Sequence, residues 1–217
     1  MYPLPEGWST PERVCDAVDV CGLTLHRAAV SSSGPGGREV TGAGADTDEA
    51  PSARADFELL ERVATLDAIA SGHADYPAFH RRSRAVHRRP GREVFPESVD
   101  PARWCFSRSN GVALHASWDE ACDRAHGEAI ERDRVLRSWC GWITPAAIPL
   151  EGARLRALES TAHAWAAHRF GAPSRAHDLE VVGVFGFPKS ADVPIAIGYA
   201  ARPTLGAAVD AAAREAL

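Results

Sequence analysis

Residues 111–132 read GVALHASWDEACDRAHGEAIER, and residues 198–217 read GYAARPTLGAAVDAAAREAL. Gly111 to Ala121 and Gly198 to Ala208 both span ten residues, and Ala121 to Glu128 and Ala208 to Glu215 both span seven. An earlier stretch, GADTDEAPSARADFELLER (44–62), keeps the same order of glycine, short turn and helix, with Ala50 to Glu58 at eight. Self-similarity of this kind marks a repeated supersecondary unit. Each copy predicts a strand, a turn and a helix with a glutamate deep inside it. In the first two copies the helix continues as E-x-x-E-R: Glu58, Glu61, Arg62 and then Glu128, Glu131, Arg132. In the third, the residue three after Glu215 would be 218, so the chain reads as a shortened version of a larger design.

Outward from these units, the elements follow from periodicity and punctuation. Phe57, Leu60, Val63, Ala64 and Ile69 recur at helical spacing between Asp48 and about Ala70. Trp118 to about Cys140 reads as a second helix, Ala153–Phe170 as a third with Leu155, Leu158, Ala162 and Trp165 on one stripe, and the final segment as a fourth. Thr10-Pro11-Glu12 carries the signature of a helix start, predicting a short helix that ends near Gly22. Residues 24–31, WCFSRS (104–109), GVALHAS (111–117), 179–187 and 194–201 read as strands, and 73–103 as a polar helical turn plus loop. The fold class is α+β: repeated strand–turn–long-helix units, helices packed on mainly antiparallel sheets. One domain spans 1–217, with units at 20–72, 104–142 and 150–217 and a basic polar insertion at 73–103.

At 217 residues, 45% apolar and 24% charged, the chain buries a core without disulfide staples. Five scattered cysteines without C-x-x-C fit a reducing cytoplasm, each as a small buried side chain, and they exclude a thiolate zinc site. No apolar run is long enough for a membrane span and the start shows no secretory signal, so the expected location is cytoplasmic. The net charge of −5 excludes a nucleic-acid footprint over the whole surface. Lys189 is the only lysine beside 23 arginines, a bias that reads as codon pressure and leaves lysine-based mechanisms one candidate. Residues 80–92 (HRRSRAVHRRPGR) hold six arginines and no acid. A solvated loop is the default there; a site for an acidic peptide on Arg81, Arg82, Arg88 and Arg89 is the alternative. Trp139 and Trp142 flank Gly141 and are expected to be packed.

Carboxylates at i and i+3 lie on one helix face, with Cβ atoms roughly 5–6 Å apart, and repel unless a cation sits between them. Mg²⁺ suits that position, because it takes oxygen ligands and completes its octahedron with water and phosphates. Two such helices side by side would hold a nucleoside triphosphate through Mg²⁺. The competing reading of E-x-x-E-R is a plain i,i+4 ion pair. Recurrence in two helices behind matching turns favours a shared acidic site.

Ser109-Asn110-Gly111-Val112-Ala113, then Asp119-Glu120-Ala121, then Glu128-Ala129-Ile130-Glu131-Arg132-Asp133 resembles the S-N-G-x-A … E-x-A … E-x-x-E-R-D pattern of the YcaO family. Gly42-Ala43-Gly44 … Ala50 … Glu58-x-x-Glu61-Arg62 resembles its G-K-G … E-x-x-E-R block, and Gly198 … Ala208 … Glu215 its third helix. The resemblance implies ATP-dependent enzymes of peptide natural-product biosynthesis that phosphorylate a backbone amide oxygen, giving an azoline, thioamide or amidine. It implies ATP and Mg²⁺ as cofactors, held by Glu58, Glu61, Glu128, Glu131 and Glu215. Arg54, Ser109, Asn110, Arg132 and Asp133 would support them. The partner would be a peptide substrate or another modification enzyme, with room for a homodimer and no role for nucleic acid, membrane or transition metal. Three departures stand against it: Ala43 replaces the family lysine, Arg54 a serine, and Ala211 a basic residue. A non-catalytic module binding a peptide or a partner enzyme therefore stays open. So does a carboxylate-metal hydrolase using His115, His126 and Asp133.

Overall fold

The computed structural model describes residues 3–20, 23–80, 83–95, 111–151, 158, 161–171 and 178–217. Strands β1 (Glu12–Val20), β2 (Leu23–Gly34) and β3 (Arg38–Asp46) form an antiparallel sheet in that order. Helix α1 (Ser52–Ser71) crosses β2 and β3. A hairpin of β4 (Asp75–Phe79) and β5 (Val86–Pro90) follows, with one helical turn, α2 (Gly91–Val94). The long helix α3 (Trp118–Trp139) precedes a second antiparallel sheet of β6 (Ala146–Ile148), β7 (His163–Arg169), β8 (Glu180–Pro188) and β9 (Ala196–Arg202). Helix α4 (Leu205–Ala216) closes the described chain. Every described pairing is antiparallel, in agreement with the expected fold class.

Strand period two decides which helix covers which face. On β8 and β9, Val182, Val184 and Ala200 face Ala208, Ala212 and Ala216 of α4. Val181 and Ala201 face the other way and join Phe170 with Ile130 of α3. The second sheet is therefore a layer between α3 and α4. On the first sheet, Ala28 and Val30 pack under Ala55, Leu59 and Val63 of α1. Each fully buried valine contributes about 1.5–3 kcal/mol relative to exposure.

Small residues bring strand and helix into backbone contact at equivalent places. A Cβ on Gly42 would lie 2.1 Å from the Ala55 carbonyl oxygen and 2.4 Å from the Leu59 nitrogen. A Cβ on Gly198 would lie 2.1 Å from the Ala212 oxygen and 2.6 Å from the Ala216 nitrogen. Gly111, at φ +74°, approaches Ala125 and Ala129 in the same way, at 3.4 and 3.2 Å. In all three units the glycine faces the residues three before and one after the glutamate. The repeat is thus set by Gly42, not Gly44, with its glutamate 16 positions on instead of 17.

Several sequence expectations are corrected. Residues 12–20 form a strand, not a helix: all nine pair with β2, and that ladder overrides the local Thr10-Pro11-Glu12 signature. Within the expected Ala153–Phe170 helix Leu158 is helical, but His163–Arg169 is a strand. There Trp165 donates its indole N–H to the Leu158 carbonyl and to Thr161 Oγ1, both at 2.8 Å, and the ladder to β8 outweighs the helix preference of three alanines. Residues 75–79 and 86–90 pair as a hairpin, in place of the expected helical turn plus loop. The GVALHAS segment is not a ladder strand among the described residues, because its N–H groups serve carboxylates instead. Trp139 and Trp142 are exposed, at 78% and 73%, and not packed. Cys15 and Cys140 are exposed and Cys122 is half-buried, so these are not core side chains. Cys21, Cys105 and WCFSRS lie outside the described residues.

Candidate functional site

Helices α1, α3 and α4 each turn one face toward a common cleft of about 1190 Å³. Glu58, Glu61, Glu128, Glu131 and Glu215 all line it. The helices are well founded: Ser117 caps α3, its Oγ accepting from Glu120 N–H at 3.3 Å, and Thr204 caps α4 by accepting from Ala207 N–H at 3.3 Å.

Backbone N–H groups at or just after Gly42, Gly111 and Gly198 each hold a glutamate. Ala43 N–H donates to Glu58 Oε2 at 2.8 Å. Gly111 N–H donates to Glu128 Oε2 at 3.2 Å, with Val112 N–H on the same carboxylate. Tyr199 N–H donates to Glu215. Leu114 N–H reaches across to Glu61 on α1. The segment 111–114 is therefore a strap whose amides hold carboxylates on two helices.

The acids come from α1, α3 and α4, and the middle acid of each E-x-x-E-R motif feels its neighbours. Glu61 is pushed up to about 7, first by loss of hydration, then by repulsion from Glu128 and Glu58. Glu131, only 8% exposed, is also pushed up to about 7, by burial and then by Glu215, with Glu128 adding to it. Glu128 and Glu215 are raised as well, chiefly because the cleft walls displace water. Arg62 Nη2 pairs with Glu58 Oε1 at 2.5 Å. Arg132 Nε stands 4.0 Å from Glu128 and 3.9 Å from Glu131, so it neutralises both only loosely. The ion-pair reading of E-x-x-E-R thus holds in α1, where Arg62 pairs with Glu58, whereas in α3 Arg132 is shared between Glu128 and Glu131. Glu61 is left facing Glu128 and Glu58.

Arg54 also lines the cleft, where its charge acts on Glu215; Glu58 is taken by Arg62 instead. Asp133 pairs with Arg137 at 2.9 Å along α3 and stands apart from the cleft lining. Ser109, Asn110, Arg81 and Arg82 lie outside the described residues. Arg88 pairs with Asp75, Arg89 with Glu93 at 3.8 Å, and Arg84 with Asp119 at 3.4 Å, which leaves the hairpin less free charge than its sequence suggests. Sequence reasoning missed Arg124 and Arg202, which line the cleft from α3 and from the end of β9. Arg202 ends the strand after Gly198, the one signal that could have pointed to it. His115 stacks on Phe57 at 5.3 Å and hydrogen-bonds Glu120 at 2.8 Å, and His126 lines the cleft.

No three His, Cys, Asp or Glu side chains among the described residues are grouped to hold a metal ion by themselves. A cation here would take its other ligands from water and from a bound anion, which is how Mg²⁺ is commonly held. Hard oxygen donors, a surplus of acid and arginines at the wall fit a Mg²⁺-bridged polyanion. Fold and site thus define an α+β domain with a three-helix acidic cleft.

A family model described as YcaO cyclodehydratase, ATP- and Mg²⁺-binding, matches residues 85–217, and the chain belongs to this family. The structure of YcaO from Methanopyrus kandleri bound with AMPPCP and Mg²⁺ is similar at TM-score 0.70 and 20% identity, over 95% of this chain and 60% of that one. The E. coli microcin synthetase McbBCD complex is similar at TM-score 0.59 and 14% identity, over 87% of this chain and 59% of that one. The same complex with pro-MccB17 bound gives TM-score 0.63 at 14% identity, over the same shares. The chain thus spans about three fifths of the proteins it resembles. No curated protein matches it.

Proposed function

We propose that the acidic cleft binds ATP with Mg²⁺ and that the chain uses the nucleotide to activate a peptide backbone amide. The observation that carries this reading is the convergence of Glu58, Glu61, Glu128, Glu131 and Glu215 on one cleft, with two of them pushed up to about 7. Such repulsion is relieved by a cation. Family membership and the nucleotide and Mg²⁺ of the Methanopyrus kandleri structure name the pair that supplies it.

Bound Mg²⁺ would neutralise charge on the phosphates during transfer. Glu61 and Glu131, the two acids pushed up to about 7, are its best ligands once deprotonated. Glu128 and Glu58 are already oriented by backbone amides, from α3 and α1. In the reaction the resemblance implies, a nucleophile adds to the amide carbonyl and the resulting oxyanion attacks the γ-phosphorus. The bond from that phosphorus to the β-bridging oxygen breaks and ADP leaves. Loss of phosphate then yields the azoline, thioamide or amidine. The pro-MccB17 bound to the McbBCD complex supports a peptide as substrate and a partner enzyme beside the chain. A non-catalytic binding module is the second reading, favoured by Ala43, whose position offers a backbone N–H to Glu58 and no side-chain charge.

Calorimetric titration with ATP, with and without Mg²⁺, tests the site. We expect Mg²⁺-dependent binding in the wild type and at least tenfold weaker binding in Glu128→Ala. Absence of binding in the wild type overturns the nucleotide reading. Binding without peptide-dependent phosphate release would favour the non-catalytic module.

A further inference from the structure

We propose that Arg54, Arg124 and Arg202 form the phosphate wall of the cleft and take the polyphosphate of the nucleotide, replacing the charge absent at Ala43. The proposal rests on the nucleotide reading above and assigns residues that neither the sequence motifs nor the family pattern single out together.

Ion pairing sets these three apart. Most described arginines have a carboxylate within 4.0 Å: Arg13 has Asp56, Arg27 has Asp16, Arg62 has Glu58, Arg137 has Asp133, Arg169 has Glu180 and Arg214 has Asp46. Arg54, Arg124 and Arg202 have no such partner among the described residues, and all three line the cleft. Arg38 and Arg92 also lack one, but they stand outside it. The three come from different elements: Arg54 from the first turn of α1, Arg124 from α3 and Arg202 from the end of β9. Arg202 is close enough to feel the other two: it is less basic than usual because its surroundings displace water and because Arg124, Arg214 and Arg54 crowd it, with Glu131 and Glu215 opposing. Arg202 Nη1 donates to the Ala201 carbonyl at 2.7 Å, which leaves its other donors for a ligand.

The cleft thus has two unlike walls. Carboxylates on α1, α3 and α4 attract a divalent cation, and guanidinium groups without acid partners face the same space. A polyphosphate carrying Mg²⁺ satisfies both at once. A bare cation satisfies only the first wall, and an acidic peptide only the second. Guanidinium forks suit phosphate oxygens because they donate two parallel hydrogen bonds. Negative charge grows along the nucleotide from AMP to ATP, so the wall reads the number of phosphates.

Titrations of ATP and AMP, both with Mg²⁺, into wild type, Arg202→Gln, Arg124→Gln and Arg202→Lys separate the possibilities. We expect the wild type to prefer ATP to AMP. Each glutamine variant should lose about tenfold in ATP affinity and keep its AMP affinity, and Arg202→Lys should recover part of the loss. Thermal melts report whether each variant is folded; Arg124 is exposed in mid-helix, so Arg124→Gln remains informative if Arg202→Gln is not stable. Wild-type binding with an unchanged ATP-to-AMP ratio in both glutamine variants overturns the arginine wall and leaves the nucleotide reading standing. Failure of the wild type to bind either nucleotide overturns both.

Discussion

Replacing Glu131 by glutamine should make the metal-free protein more stable at alkaline pH. Glu131 is raised from 4.5 to about 7 and is 8% exposed. Below about pH 4, folded and unfolded chains both carry its proton, and Glu131→Gln is close to neutral. As pH rises the unfolded chain ionises first, while the folded chain keeps the proton until about 7. Stability present at low pH is therefore lost through that window, and the loss levels off above it. The difference of about 2.5 pH units corresponds to about 3 kcal/mol at pH 8, an upper bound because Glu215 and Glu128 share the repulsion. Urea unfolding of both proteins in a chelator, at pH 5 and pH 8, measures it. We expect the variant's advantage to grow by about 2 kcal/mol between the two. Mg²⁺ with ATP should then stabilise the wild type more than the variant. A variant less stable than wild type at pH 8, or an advantage indifferent to pH, would refute the account of a strained acid.

Binding of ATP with Mg²⁺ at pH 7 should release about one proton, since Glu61 and Glu131 are each near half-protonated there; titrations in two buffers of different ionisation heat would show it, and buffer-independent heats would contradict it. Gly42→Ala should cost about 3 kcal/mol or more, because its Cβ meets helix backbone 2.1 Å away, whereas Gly206→Ala, with open space around it in α4, should add about 0.5–1 kcal/mol. Thermal or denaturant unfolding ranks the two, and equal effects would show that the strand–helix contact yields.

The acidic site was legible because the same spacing recurs, and recurrence survives errors in single elements. Glu58, Glu128 and Glu215 could be paired from their distances to upstream glycines and alanines alone. The first copy was aligned on Gly44 because two glycines flank Ala43, and only the backbone contact shows that Gly42 presses on α1. Strand β1 and the β4–β5 hairpin carry local signals of other kinds, a helix-start signature at Thr10-Pro11-Glu12 and a run of arginines at 81–92, and the cross-strand ladder to the neighbouring strand decides both. Strand β7 looked helical because alanine is permissive, and its pairing with β8 leaves no periodic trace in AAH-type sequence. Arg124 and Arg202 were hidden for another reason: in a sequence with 23 arginines, what marks them is their place in the cleft lining together with the lack of an acid within 4.0 Å among the described residues.

The unequal glycine contacts give the cleft one soft wall. At Gly42 and Gly198 a Cβ would overlap helix backbone at 2.1 Å, so α1 and α4 rest on their strands with no freedom to slide. At Gly111 the corresponding gaps are 3.2 and 3.4 Å, and the strap there touches α3 through a side-chain methyl as well as backbone. Of the three strand–helix or strap–helix joints that build the cleft, the loosest therefore belongs to α3, the helix that carries Glu128 and Glu131.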